Sequence, residues 1–347
     1  MNTPVYLFTV LLFELFMVLM QASSVRNTYA GWRDIVKADD VPEAPPVPEE
    51  KAAIEPNVRK CSHLNTGSLI VNALSIQGRG HLQNGTPCQD CHHIETLDEG
   101  LFLAVVSDGA GSTENAETGS QIVCEKCAEH LKDALKRLGW DSLVCSWDGV
   151  FRKVVELIQL DLAAFAKNNE GISFDSLAAT LMVLVIGPGK SLFGHVGDGR
   201  AGILTDDGWR AILTPHKGAE ANQTVFVTND VLAPGLTLSG VPVPETMIID
   251  NPVSAFAMMT DGCENGLWMT SRKEDLPDGD FRYIPLNHPF VPALDDILGR
   301  LSGCQDEEES AELLHRIVTR YNRPLQNEHD DKTLCIGFTP ITEKDNK

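Results

Sequence analysis

The sequence has few basic residues for its size. Among 347 residues there are 28 Lys plus Arg against 49 Asp plus Glu, so the formal charge is 28 − 49 = −21. A chain without an excess of cations is a poor non-specific binder of nucleic acid or anionic lipid, because it displaces few counterions. The apolar fraction of 43% and the charged fraction of 22% lie near the globular average, which excludes wholesale disorder.

Nothing in the cysteine pattern indicates a disulfide scaffold. The nine cysteines are an odd number in a long chain, which favours reduced thiols. Two pairs have CxxC spacing, Cys88/Cys91 and Cys124/Cys127. A four-thiolate zinc site is one interpretation of them, although the two pairs lie far apart for a zinc ribbon. Small buried thiols and a redox-sensitive pair are the alternatives.

No apolar run reaches the length of about 20 residues that spans a bilayer. The longest, residues 5–20, carries Glu14 at its middle and has no preceding Lys or Arg, so it lacks the basic start of a secretory signal. Arg26, Arg33 and Lys37 follow it, and a span here leaves the rest of the chain in the cytoplasm. We therefore treat residues 1–24 as an apolar segment and candidate signal-anchor, with a cleaved signal or a non-spanning tail as alternatives.

The remaining chain divides by composition. Residues 25–60 are rich in Pro and Glu and poor in large hydrophobes, which predicts an extended linker. Residues 61–340 have the texture of one globular domain, and residues 341–347 form a polar tail.

Hydrophobic periodicity predicts the elements of that domain. Strand patterns occupy 68–77, 101–107, 179–186, 191–196, 201–205, 209–213, 247–249, 254–260 and 333–338, and helical patterns occupy 114–138, 150–166, 294–301 and 308–321. We interpret the run from 179 to 213 as an antiparallel meander, because turn dipeptides separate its strands. Strands in runs followed by helices in runs predict an α+β fold of two antiparallel sheets packed face to face with helices outside.

An aspartate recurs where an apolar strand stops. Asp-Gly pairs begin at Asp108, Asp198 and Asp261, and Asp330-Asp331 precedes the last strand. A single Asp-Gly is an ordinary turn, but four such sites place several carboxylates at one rim of the sheets. Crowded carboxylates repel one another, and divalent cations relieve the repulsion. Oxygen ligands select Mg²⁺ or Mn²⁺, so the pattern predicts a metal site.

These residues belong to an ordered set of short motifs between about residues 68 and 338. The motifs are GHLQNGTPCQD at 80–90, VSDGAGS at 106–112, GDGR at 197–200, MTDG at 259–262 and DDKTLCIG at 330–337. The set resembles the metal-dependent serine/threonine protein phosphatases of type 2C and is closest to their divergent bacterial branch.

The resemblance implies a four-layer α-β-β-α sandwich with two Mn²⁺ or Mg²⁺ ions in a cleft at one edge. It implies the following ligands: Asp108 bridging both ions, the Gly109 carbonyl on one, Asp261 and Asp330 on the second, Asp90 on metal-bound waters, and Asp198 near a weak third ion. Asp108, Asp261 and Asp330 are then the catalytic residues.

In such enzymes a water activated by two metals attacks phosphorus in line. The implied substrates are phosphoserine and phosphothreonine proteins made by an opposing serine/threonine kinase. No nucleotide or organic cofactor is indicated. For the substrate phosphate the candidates are His81 and Arg79 in GRGHLQNG, and His81 is the favoured one; a surface turn histidine is the alternative for His81.

Three positions depart from the family pattern. Gln89 stands where many members have Glu, Ala110 where some have His, and Asn265 where a second Asp is common. An active enzyme is the primary hypothesis, and a catalytically weak phosphoprotein-binding pseudophosphatase is the alternative. A zinc-stabilised adaptor tethered to a membrane is a third class that the cysteine pairs leave open.

Overall fold

The computed structural model describes residues 56–217, 224–250, 252–276 and 280–340. The predicted apolar segment at 5–20 and the polar tail at 341–347 lie outside the described residues, as does most of the predicted linker. Strand β1 starts at Val58, just before the predicted domain boundary at residue 61. Among the described helices, none is both long enough and apolar enough to cross a bilayer.

The strands follow the predicted order, with additions. They are β1 Val58–Asn65, β2 Ile70–Ile76, β3 Cys91–Thr96, β4 Phe102–Ser107, β5 Leu181–Gly187, β6 Lys190–Val196, β7 Arg200–Thr205, β8 Gly208–Ala211, β9 Thr237–Leu238, β10 Val241–Pro242, β11 Glu245–Asp250, β12 Ala255–Met259, β13 Trp268–Asp275, β14 Phe281–Pro289 and β15 Lys332–Phe338.

The α-helices of the described residues include two long ones and several short ones. They are α1 Arg79–Asn84, α2 Ala116–Leu138, α3 Trp140–Cys145, α4 Trp147–Asn168, α5 Glu264–Leu267, α6 Val291–Leu301, α7 Glu307–Arg316 and α8 Arg323–Gln326. Helix α2 forms as predicted because Val123, Cys127, Leu131 and Ala134 recur at steps of three and four and bury one face.

The strands form two antiparallel sheets. One has the order β1-β2-β15-β12-β7-β8 and the other the order β11-β6-β5-β4-β3. Strands β6 and β7 therefore lie in different sheets, and the meander predicted over 179–213 is wrong. The chain makes two hairpins there, joined by the GDGR turn that crosses from one sheet to the other. This crossover carries Asp198 to the rim between the sheets.

Alternating residues of β4 show how the layers are held. Phe102, Ala104 and Val106 face the other sheet, whereas Leu103 and Val105 face helices α2 and α4. Both faces are apolar because both are covered, and buried apolar area is the main stabilising contribution. On the second sheet, β12 and β15 are covered by α6 and α7 in the same way. The predicted four-layer sandwich is confirmed.

Candidate metal and phosphate site

Asp108 leaves the end of β4 in a turn fixed to the start of β5. Its backbone N–H donates to Thr180 Oγ1 at 2.9 Å, and Thr180 N–H donates to the Asp108 carbonyl at 2.8 Å. Ala110 N–H donates to the Ala178 carbonyl at 2.9 Å. The carboxylate is thus held at the mouth of the sandwich by backbone on both sides.

Thr260, the residue that directly follows β12, joins Asp261 and Asp90. Thr260 Oγ1 donates to Asp90 Oδ2 at 2.7 Å and accepts from Thr333 N–H at 2.9 Å. Asp261 follows Thr260 directly, and Thr333 lies in β15. One hydroxyl therefore connects the ends of β12 and β15 with the segment before β3, which brings the two carboxyl groups to the same corner.

Two glycines allow the turns to approach this corner closely. A Cβ on Gly109 would lie 2.5 Å from the Ala116 carbonyl oxygen, and one on Gly262 would overlap the Asp331 carbonyl oxygen. Both distances are below what any side chain tolerates, so only glycine fits after Asp108 and after Asp261. The Asp-Gly pattern in the sequence reflects this close packing.

The carboxyl groups at this corner repel one another. Burial raises the pKa of Asp108 well above its usual value, and the charges of Asp90 and Asp261 raise it further. Burial and the neighbouring Asp331 raise the pKa of Asp90 in the same direction. Burial, followed by the charges of Asp198 and Asp330, raises the pKa of Asp261 to about 7.

Asp90 and Asp261 are the charged neighbours that act most strongly on Asp108, so Asp108 lies close to both. Asp90 Oδ1 and Asp261 Oδ1 are buried without a hydrogen-bond partner. A buried carboxylate oxygen without a donor is costly unless a cation pairs with it. An all-oxygen donor set with unpaired oxygens fits a hard divalent ion, so these residues are suited to Mg²⁺ or Mn²⁺.

Asp330 and Asp331 differ sharply although they are adjacent. Asp330 is exposed at the rim, and its pKa is raised, chiefly by burial of its carboxyl oxygens. Asp331 is 2% exposed and accepts from Gly78 N–H at 2.6 Å and Gln89 N–H at 2.5 Å. Asp331 therefore fixes the backbone that carries Asp90, and Asp330 faces the carboxyl corner.

Asp198 lies in the GDGR crossover near the same corner, where its charge raises the pKa of Asp108 and Asp261. Its Oδ2 accepts from Thr224 Oγ1 at 2.6 Å. Arg200 of the same motif is buried and donates through Nε to Glu264 Oε1 at 2.7 Å. That pair ties the crossover to the turn just after Asp261.

The two phosphate candidates lie on the short helix α1 beside Asp330 and Asp331. His81 Nδ1 is 2.8 Å from Asp331 Oδ2. Arg79 is exposed, and its NH1 group donates to Asn327 Oδ1 at 3.1 Å. The structure thus places both near the carboxyl corner but holds the His81 ring against a structural carboxylate.

The departures from the family pattern also lie around this corner. Gln89 is buried and its Oε1 has no hydrogen-bond partner. Ala110 is buried in the turn after Asp108. Asn265 is exposed and donates through Nδ2 to Glu328 Oε2 at 2.7 Å.

The two cysteine pairs meet through Cys91 and Cys124, one residue from each pair. All nine cysteines are free. Cys124 Sγ donates to the Cys91 carbonyl at 3.4 Å, and Cys88 Sγ faces the Asp90 carbonyl at 3.8 Å. Within the described part of the chain, these four sulfurs do not form a group of three ligand atoms within 4.8 Å of one another.

Comparison with known proteins agrees with the motifs. The Protein phosphatase 2C family matches residues 77–317, more than half of the chain. The chain therefore belongs to the Protein phosphatase 2C family, as the motifs predicted.

Individual relatives are distant. The chain is 25% identical over 273 residues to serine/threonine-protein phosphatase 3 of Escherichia coli (strain K12), covering 76% of this chain and 96% of the relative. A crystal structure of a bacterial serine phosphatase aligns with a TM-score of 0.50 at 14% identity, covering 79% of this chain and 98% of that one. The catalytic domain of the serine/threonine phosphatase PstP with two manganese ions has a TM-score of 0.48 at 16% identity, covering 79% and 99%.

Several residues that build the site carry no signal of their own in the sequence. Asp331 is indistinguishable from Asp330 before folding, and Thr260 and Thr180 are ordinary strand threonines. Their roles arise from contacts between residues far apart in the chain, such as Thr260 with Asp90. In the sequence alone, the signal for this site is the repetition of Asp-Gly after apolar strands.

Proposed function

We propose that this protein is a metal-dependent phosphatase that hydrolyses phosphoserine and phosphothreonine in proteins. The observation that carries the proposal is the corner where the charges of Asp90 and Asp261 raise the pKa of Asp108, while two buried carboxylate oxygens, Asp90 Oδ1 and Asp261 Oδ1, have no hydrogen-bond partner. Family membership and the name of the Escherichia coli relative support the same reaction.

Two Mn²⁺ or Mg²⁺ ions would be held by this chain as follows. Asp108 would lie between them, the Gly109 carbonyl would bind one, and Asp261 and Asp330 would bind the other. Asp90 would accept hydrogen bonds from coordinated waters, and Asp198 would serve a weaker third position. The ions would stabilise the charge on the phosphoryl oxygens as Lewis acids.

The chain's own groups prepare the site for that chemistry. The hydrogen bond from Thr260 to the Asp90 carboxylate, and the two hydrogen bonds between Thr180 and the Asp108 backbone, fix these two residues before substrate arrives. Preorganised groups need no reorientation during the reaction, which is where such sites gain rate. Asp331 orients the Gln89-Asp90 backbone without entering the carboxyl corner.

No thiol serves as the nucleophile in this proposal. Cys263 lies two residues from Asp261, and burial raises the pKa of its thiol well above the usual value. Burial, followed by the charge of Asp90, raises the pKa of Cys88 in the same direction. Protonated thiols are poor nucleophiles, so water is the attacking group.

For the substrate phosphate, the contacts favour Arg79 over His81. The His81 ring lies against Asp331, whereas the Arg79 guanidinium is exposed on α1 and donates to Asn327 Oδ1. Arginine also matches phosphate geometry with two parallel donors. We assign Arg79 to the phosphate and His81 to positioning of Asp331.

We further propose that the substrates are products of an opposing serine/threonine kinase on the cytoplasmic side. The site is built to receive a phosphorylated side chain, and a phosphatase acts on what a kinase makes. The basic residues Arg26, Arg33 and Lys37 after the apolar segment agree with this side. A tether through residues 5–20 stays a prediction.

The test is turnover of a phosphothreonine peptide by the full chain with Mn²⁺, with Mg²⁺ and with EDTA. Activity should require either metal and should be lost in Asp108→Ala and Asp261→Ala. The matched control is Asp206→Ala, an exposed aspartate in the β7–β8 turn. A folded protein that binds the phosphopeptide without turnover under every condition would overturn the enzyme and support the pseudophosphatase.

A further inference from the structure

A second polar cluster lies away from the carboxyl corner, at the edge of the five-stranded sheet. His195 is near the end of β6, and Glu245 begins the edge strand β11 directly opposite it. His216 lies in the segment after β8, where its backbone N–H donates to the Gly197 carbonyl at 2.7 Å. Two sheet strands and one connecting segment thus converge on one point.

The three side chains are buried together. His195 and His216 have no exposed surface, and Glu245 is 7% exposed. The two imidazole rings stack with centroids 4.4 Å apart and an interplanar angle of 28°. Glu245 Oε2 lies 3.5 Å from His195 Nδ1 and 4.0 Å from His216 Nε2. These distances exceed those of hydrogen bonds, so the charged and polar atoms face one another without bonding.

Three ring nitrogens in this cluster lack partners, namely both nitrogens of His195 and His216 Nε2. Burial of an unbonded polar group costs about 1–3 kcal/mol. Burial by itself does not leave a histidine without hydrogen-bond partners. His92 is equally buried, yet its Nδ1 lies 2.8 Å from Ser75 Oγ and its Nε2 lies 3.0 Å from Ser62 Oγ.

The protonation states suit a cation. Burial lowers the pKa of His195 and of His216 to about 3, so both imidazoles are neutral at pH 7 and each has a lone pair to donate. Burial raises the pKa of Glu245, but the Thr214 N–H bond to Oε2 at 2.8 Å favours its ionised form. Two neutral imidazoles and one carboxylate are the donor set of many zinc sites.

We propose that His195, His216 and Glu245 bind one zinc ion at a site separate from the carboxyl corner. One nitrogen of each ring and one oxygen of Glu245 already lie within 4.8 Å of one another. Ligand atoms of tetrahedral zinc are about 3.3 Å apart, so each side chain moves inward by less than about 1 Å. Imidazole donors favour zinc over Mg²⁺, which the all-oxygen corner prefers.

Zinc binding at His216 has a structural consequence. His216 Nδ1 now accepts from Gly197 N–H at 3.3 Å, so the ring proton lies on Nε2. A metal on Nε2 moves the ring proton to Nδ1 and removes this acceptor from Gly197. The ion would instead connect strand β6, the edge strand β11 and the segment after β8, which carry its three ligands.

The first test measures metal retained by the full chain. Protein stripped with chelator is incubated with Zn²⁺ in excess Mg²⁺, passed through gel filtration and analysed for zinc. We expect about one zinc per chain. His195→Gln and His216→Gln should each weaken zinc binding by about 100-fold or more, because each removes one of three ligands. The matched control is His92→Gln, a buried histidine outside the cluster, which should retain the zinc.

The second test needs no variant and decides the question where a variant fails to fold. X-ray absorption at the zinc edge of the wild-type protein should show nitrogen and oxygen neighbours with the outer-shell pattern of imidazole. Sulfur neighbours at about 2.3 Å would overturn the proposal and place the metal at the cysteines. It is also overturned where wild-type protein retains no zinc, or where both folded histidine variants retain it undiminished.

Discussion

Asp331 and Asp90 are neighbouring buried carboxylates, and they differ in how many of their oxygens accept hydrogen bonds. Asp331 is 2% exposed and accepts from Gly78 N–H and Gln89 N–H, and His81 Nδ1 lies 2.8 Å from its Oδ2. Asp90 is 1% exposed, yet its Oδ1 has no partner and its Oδ2 has one. Asp331 and Asp90 are therefore equally buried, and they differ in the number of hydrogen-bond donors that contact them.

The difference separates a structural carboxylate from a ligand. A buried carboxylate with several donors stabilises the fold, because its charge is compensated within the protein. A buried carboxylate facing others is uncompensated until a cation arrives. We therefore expect Asp331 to position the backbone and Asp90, Asp108 and Asp261 to hold the metal. Matched substitutions in the two sets should therefore have opposite consequences.

The largest expected effect is on turnover in Asp108→Asn. Removing the carboxylate that contacts both Asp90 and Asp261 should lower kcat by about 10³-fold or more. In EDTA the same variant should unfold at a higher temperature than the wild type, because it relieves the burial cost and repulsion that raise the pKa of Asp108. Steady-state kinetics and thermal unfolding measure the two effects, with Asp206→Asn as the exposed control. A lower unfolding temperature in EDTA would contradict this account of the corner.

The neighbouring pair Asp330 and Asp331 gives the next effect. Asp331→Asn should lower the free energy of unfolding by about 2–3 kcal/mol, because an amide cannot accept from two backbone N–H groups as a carboxylate does. Urea titration measures this as a lower midpoint at unchanged slope.

Asp330→Asn is the matched control for that experiment. It should reduce metal-dependent turnover while leaving the urea midpoint close to that of wild type, because Asp330 is exposed at the rim. Equal urea midpoints for Asp330→Asn and Asp331→Asn would contradict the assignment of a structural role to Asp331 alone.

Much of this site was predictable because its signal is local. A buried strand followed by Asp-Gly is visible in the chain, and the structure confirms that Asp108 and Asp261 follow β4 and β12. The glycines are required by backbone contacts that recur at both turns. Order and spacing then identified the family without any knowledge of the sheet pairing.

The rest of the fold and of the site depended on strand pairing, which no local sequence pattern encodes. The hairpins β5–β6 and β7–β8 have the same texture in sequence, but the GDGR turn sends them to different sheets. The exposed hairpin β13–β14 was missed, since its largely exposed strands lack the alternating apolar face of a core strand. His216 and Glu245 meet His195 only because β11 pairs with β6 and the segment after β8 folds over Gly197.

Metal binding at the carboxyl corner should depend on pH through Asp261. In metal-free protein the pKa of Asp261 is about 7, above its unfolded value of about 3.9. The folded state therefore holds more protons between these values, and this contribution to stability is lost as pH rises toward 7. Protons compete with the ion for the same oxygens, so the increase in unfolding temperature caused by Mg²⁺ should be small at pH 5 and larger at pH 7.5. Thermal scans with Mg²⁺ or EDTA measure this, and an increase that does not change with pH would contradict it.

The smallest expected effect is at the two side chains of α1. Arg79→Ala should raise KM for a phosphothreonine peptide by about 3- to 10-fold with little change in kcat, because an exposed cation contributes modestly to binding a dianion. His81→Ala should instead lower the urea midpoint, because Asp331 loses a contact at 2.8 Å. Kinetics and denaturation of both variants measure the two outcomes independently. The opposite result would be a higher KM at unchanged stability in His81→Ala but not in Arg79→Ala. It would exchange the roles of the two residues. His81 would then contact the substrate phosphate and would not position Asp331.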